Sequence, residues 1–141
     1  MNKQELEKMI LDNGFEQSNQ VPDMCIWHYP EVYSPLIENR FRVYCALFLN
    51  KSDNCLEDCT EIYDFENNEF VFKKNFYVCP VKKELHLLNE EKLMNIINSQ
   101  KELYKKMMKF VKQIMVDEKI NDLEKDFKDD TRNTERTNDK V

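Results

Sequence analysis

Cysteine and histidine are the side chains best equipped for chemistry in this 141-residue chain, which has 5 and 2 of them. Cys55 and Cys59 stand in an acidic stretch with three residues between them, and zinc-binding cysteine pairs are usually separated by two to four. Cys79 with His28 or His86 would complete four ligands. A second close pair, which makes such a set specific, is missing. Cys45 falls on the apolar side of an alternating run, and Cys25 stands two residues from Trp27. A free cysteine in such places packs as a small hydrophobe. The odd number of cysteines predicts free thiols, and the sequence predicts no metal and no other cofactor.

His28 sits in the densest aromatic cluster, Trp27-His28-Tyr29-Pro30. An imidazole titrates near neutrality and acts as a general base when a nucleophile or substrate lies beside it. The sequence supplies no recognisable partner of that kind. Gly14 is the single glycine, which excludes dinucleotide and P-loop fingerprints, because their glycines admit phosphate to the backbone or take positive φ. The metalloprotease H-E-x-x-H and the serine nucleophile elbow are also absent. No catalytic residue is predicted, and the chain reads as a non-enzyme.

Charge is more informative. Asp53, Glu57, Asp58, Glu61, Asp64, Glu66 and Glu69 fall in a stretch without lysine or arginine. They suggest a negative surface that docks on a basic groove, as a nucleic-acid mimic does; a solvated rim is the plainer account. The later helix carries the opposite sign. Lys101, Lys105, Lys109 and Lys112 fall within an arc of about 80° at 100° per residue. A solvated helix face explains them, and contact with a nucleic-acid backbone is the alternative. No arginine joins the stripe to read guanine, and the chain is acidic overall, with 27 Asp and Glu against 21 Lys and Arg.

The elements that position these groups follow from periodicity and caps. Asn2, with Glu5 three residues on, begins a helix over 3–13, with Leu6, Met9 and Ile10 on one face and Gly14 just past its end. Residues 16–23 read as a loop. Strands are expected at 24–29, 40–50, 60–65 and 70–78, and a fifth at 81–88. The run 40–50 takes the centre of the sheet, because its end is apolar on both faces. Residues 51–59 read as a polar loop, and Asn67-Asn68 as a two-residue hairpin turn. Asn89 caps a helix over 90–127, about 57 Å long at 1.5 Å per residue. So long a helix projects, pairs with another chain, or breaks, and Asp117-Glu118 is where a break is expected. Residues 1–127 are predicted as one α+β domain: an N-terminal helix, a four- to five-stranded antiparallel sheet and the long C-terminal helix. Residues 128–141, with Val141 their one apolar residue, read as a disordered charged tail.

Around the long helix, the apolar arc that includes Tyr104, Met107, Val111, Ile114 and Met115 spans about 160°. It is wider than one small sheet covers, which suggests self-association as a homodimer, or docking on another protein. No apolar run approaches the roughly 18 residues of a membrane helix, and the acidic N-terminus lacks the composition of a targeting peptide. A cytoplasmic protein without a membrane partner is expected. Asn, Lys and Ile total 40 residues and Gly, Ala, Pro and Arg only 10. That bias points to an AT-rich genome, such as a low-GC bacterium or its phages and plasmids. The function expected is a small non-enzymatic protein-binding regulator or inhibitor. A phage or mobile-element counter-defence or immunity protein acting on a nucleic-acid enzyme would have this build. Nucleic-acid binding through the lysine stripe is the alternative.

Overall fold

The computed structural model describes residues 1–18, 22–30, 40–76 and 82–139, with side chains described as far as residue 127. The chain divides into two compact units, Met1–Met108 and Lys109–Val141.

In the first unit, Asn2 caps helix α1 (Lys3–Asp12). Its Oδ1 accepts the Glu5 backbone N–H at 2.8 Å, and its side-chain amide donates back to the Glu5 carboxylate at 2.8 Å. Gly14, at φ +90°, turns the chain away from the helix end. Six strands follow: β1 (Glu16–Ser18), β2 (Met24–His28), β3 (Phe41–Asn50), β4 (Cys55–Glu66), β5 (Glu69–Asn75) and β6 (Lys82–Glu84). A short 3-10 turn at Leu85–Leu87 leads into helix α2 (Glu90–Asp139). Asn89 caps α2 by accepting the Lys92 N–H at 2.8 Å.

All neighbouring strands are antiparallel, in the order β1-β2-β3-β4-β5, with β6 also on β4. Strand β3 is central, as its apolar end required. The outer edge of β4 is shared: β5 pairs with Glu61–Glu66 and β6 with Cys55–Glu57. Asn67 and Asn68, at φ 52° and 66°, make the β4–β5 turn, the left-handed pair that a two-residue hairpin requires.

One face of the sheet carries the core. Trp27, Leu47, Leu49 and Leu56 pack with Leu6 and Ile10 of α1, Phe15, and Leu93 and Ile97 of α2. Strand alternation puts Phe41, Val43 and Cys45 on the same side, all buried. The α+β class, with an N-terminal helix, an antiparallel sheet and a long C-terminal helix in that order along the chain, thus stands as the sequence predicts.

Four local expectations are corrected. Residues 16–18 form an edge strand, which their uniformly polar side chains do not signal. The loop at 51–59 ends at Asn54, and β4 begins at Cys55. Helix α2 passes through Asp117 without a break and is helical as far as Asp139; no glycine or proline interrupts that span. The fifth strand is reduced to Lys82–Glu84, and residues 77–81, including Cys79, lie outside the described residues.

In the second unit, Val111 is buried, and Ile114 and Met115 are half-buried. Val116, Ile120, Leu123 and Phe127 are exposed.

Candidate functional site

Among the described residues of the first unit, no helix packs on the second face of the sheet. Alternation from the buried positions of β3 and β4 sends Arg42, Tyr44 and Phe48, and Glu57, Cys59, Glu61, Tyr63 and Phe65, to that side. Pairing with β5 adds Phe70 opposite Phe65 and Phe72 opposite Tyr63. Most of these side chains are half-buried, and Phe65 and Phe72 are 43% and 49% exposed.

The aromatic rings form two sets, which the Arg42 side chain joins. Tyr44 meets Tyr63 edge-on at 5.5 Å between centroids, and Tyr63 meets Phe72 edge-on at 5.8 Å. Phe65 and Phe70 lie 5.1 Å apart. The Arg42 guanidinium sits 4.3 Å over the Phe70 ring and donates to the Tyr44 hydroxyl at 3.3 Å. The Tyr63 hydroxyl donates to Glu61 at 2.6 Å. Arg42, Tyr44, Cys59, Glu61, Tyr63 and Phe70 line an open depression of about 370 Å³. The depression combines a floor of aromatic rings with a cation held over Phe70 and an anion held by Tyr63; rigid rings give much contact area for little ordering entropy.

The depression offers little to covalent chemistry. Burial and the neighbouring Glu61 and Asp58 carboxylates push the Cys59 thiol up to about 12, so it stays protonated and weakly nucleophilic at neutral pH. The hydrogen bond to Glu61, with burial, pushes the Tyr63 hydroxyl up to about 12. The Cys55–Cys59 spacing falls within β4, where four residues span about 13 Å. That distance prevents both thiols from binding one ion, and among the described residues no three His, Cys, Asp or Glu converge on one point. His28 faces away from its neighbour Trp27, which is fully buried, and its Nδ1–H donates to the Pro30 carbonyl at 3.1 Å.

The acidic residues do not form one surface. Asp58 and Asp64 lie on the covered face, 8% and 2% exposed. Asp64 takes a bidentate pair from Arg40, at 2.8 and 2.9 Å. Asp58 accepts from Gln100 of α2 at 2.9 Å, and Gln100 is itself buried. Glu66 is held by Lys73 at 2.7 Å. Glu57 and Glu61 stand on the aromatic face, and Asp53 and Glu69 are exposed in turns or at strand ends.

The helix residues also divide. Met107 and Val111 are fully buried and offer no surface. Tyr104 is half-buried, edge-on to Tyr29 at 5.4 Å. Lys101 reaches over the Tyr29 ring at 5.7 Å, Lys105 pairs with Glu102 at 3.1 Å, and Lys109 and Lys112 are exposed.

The aromatic face is the feature that the sequence reading missed. Its signal lay in the alternation Tyr63-x-Phe65 and Phe70-x-Phe72 on the two arms of the Asn67-Asn68 hairpin, which sets all four rings on one side. The chain matches no known protein family, no curated protein and no solved structure. No helix among the described residues is long and apolar enough to cross a membrane.

Proposed function

We propose that this chain is a non-enzymatic protein-binding module whose recognition surface is the aromatic face of the sheet. The observation that carries the reading is the connected ring set Tyr44–Tyr63–Phe72, beside Arg42 over Phe70, on a face that no helix covers among the described residues of its unit. Tyrosine, phenylalanine and arginine are enriched where proteins meet, and hot spots favour tyrosine and arginine. Glu57 and Glu61 give this face an acidic component, so a partner bearing apolar and basic side chains fits it. The protonated Cys59 thiol and the hydrogen-bonded Tyr63 hydroxyl support binding over catalysis.

The narrower reading is an inhibitor of a nucleic-acid enzyme, of phage or mobile-element origin, acting as an acidic mimic. It draws support from Glu57 and Glu61 on the aromatic face. Burial of Asp58 and Asp64 and the engagement of Glu66 leave it fewer charges than the sequence suggested. Stacking of single-stranded nucleic acid on the same rings is the competing use of such a face. The two Glu carboxylates beside the rings oppose phosphate.

The test is substitution of Tyr63 and Phe72 by alanine, with capture from the producing cell. A protein partner should be lost from both variants while the melting temperature holds within a few degrees. Retained capture, or strong heparin retention that both variants abolish, would overturn the reading.

A further inference from the structure

Val116, Ile120, Leu123 and Phe127 are 48%, 48%, 69% and 73% exposed, within the unit Lys109–Val141. Their successive spacings of four, three and four residues are those of a coiled-coil seam, alternating d and a positions of a heptad. Val116 is rotated by about 140° from the buried Val111 at 100° per residue, so the face that burial uses in this unit is a different one. In this register Val116 and Leu123 are d positions, and Ile120 and Phe127 are a positions. A β-branched residue at a with leucine at d favours two parallel strands, and Ile120 with Leu123 is that combination.

The flanking charges select the occupant and its direction. Lys112 and Lys119 fall at g, and Asp117 and Glu124 at e; all four are exposed. Asp117 accepts a hydrogen bond from Gln113, one turn earlier, at 2.8 Å, which holds its carboxylate beside the seam. In a parallel, in-register pair each g residue faces the e residue five positions on in the other chain. Lys112 then meets Asp117 of the second copy and Lys119 meets Glu124 of the second copy, and symmetry repeats both pairs. An antiparallel pair sets e against e, which brings Asp117 against Glu124.

We propose that the stripe from Val116 to Phe127 is the seam of a parallel homodimer, with a second copy of this chain as its occupant. This interface uses different residues from the aromatic sheet face and does not depend on it. Four apolar layers make a short seam, so the dimer is weak.

The test is sedimentation of the full chain at low salt from about 1 to 200 µM. The mass should rise from 17.1 kDa toward twice that value. Leu123→Glu should abolish the rise, with helix content by circular dichroism unchanged, because Leu123 is 69% exposed. Lys119→Glu alone and Glu124→Lys alone should each weaken association about tenfold, and the double exchange should restore it. A monomer throughout the range would overturn the proposal. So would Glu124→Lys strengthening the dimer, since that is the antiparallel outcome.

Discussion

At the scale of single residues, the structure turns on polar groups whose partners are remote in sequence. Asp64 is buried, and Arg40, 24 residues away, neutralises it with two parallel hydrogen bonds. Replacing Arg40 by methionine leaves a buried carboxylate without its cation. Removing one partner of a buried pair is strongly destabilising. Arg40 is 34% exposed, so the cost falls at the low end, about 2 kcal/mol. Thermal denaturation should show a loss of roughly 5–10 °C; a change under 2 °C would contradict this role. The thiols give a second prediction. Burial pushes Cys45 and Cys59 up from the usual 9.0 to about 12. Below pH 9 folded and unfolded chains both hold these protons. Between pH 9 and 12 the unfolded chain loses them first, so stability falls as pH rises through that window. Cys59→Ala should flatten part of that fall in melting temperature, and an identical profile would show that the thiol does not titrate differently on folding.

At the scale of elements, most of the fold was legible in the sequence, because caps and periodicity acted locally. Asn2, Gly14 and Asn89 mark helix ends, and Asn67-Asn68 marks a hairpin, through backbone geometry that no distant residue alters. The start of β4 was illegible for the opposite reason. Its covered face reads Leu56, Asp58, Thr60, Ile62, Asp64, and sequence patterning takes an aspartate as exposed. Gln100 and Arg40 make those aspartates fit for burial, and both lie far along the chain. The same two aspartates made the acidic stretch look like one surface, so one cause explains both misreadings. Helix α2 runs to Asp139, yet residues 128–141 offer almost no apolar surface. Truncation after Phe127 should leave the melting temperature within a few degrees of the full chain, and a larger fall would show that the tail contributes to stability.

At the scale of the whole molecule, the sheet separates two tasks. The face bearing Trp27, Leu47 and Asp58 binds the helices and holds the fold. The face bearing Tyr44, Tyr63, Phe70 and Phe72 carries rings that contribute little to that core, and there the proposed binding resides. Dimerisation through α2 would give one particle two such faces, and so avidity for a repeated or symmetric partner. The central claim is that the aromatic face touches a protein, and position-specific photocrosslinking reads that contact most directly. A photoreactive phenylalanine analogue at Phe72, 49% exposed on this face, should yield one discrete protein adduct in the producing cell. The same analogue at exposed Asn98 of α2 should not, and Tyr63→Ala should remove the Phe72 adduct. Equal adducts from both positions, or an adduct to nucleic acid at Phe72, would contradict the claim.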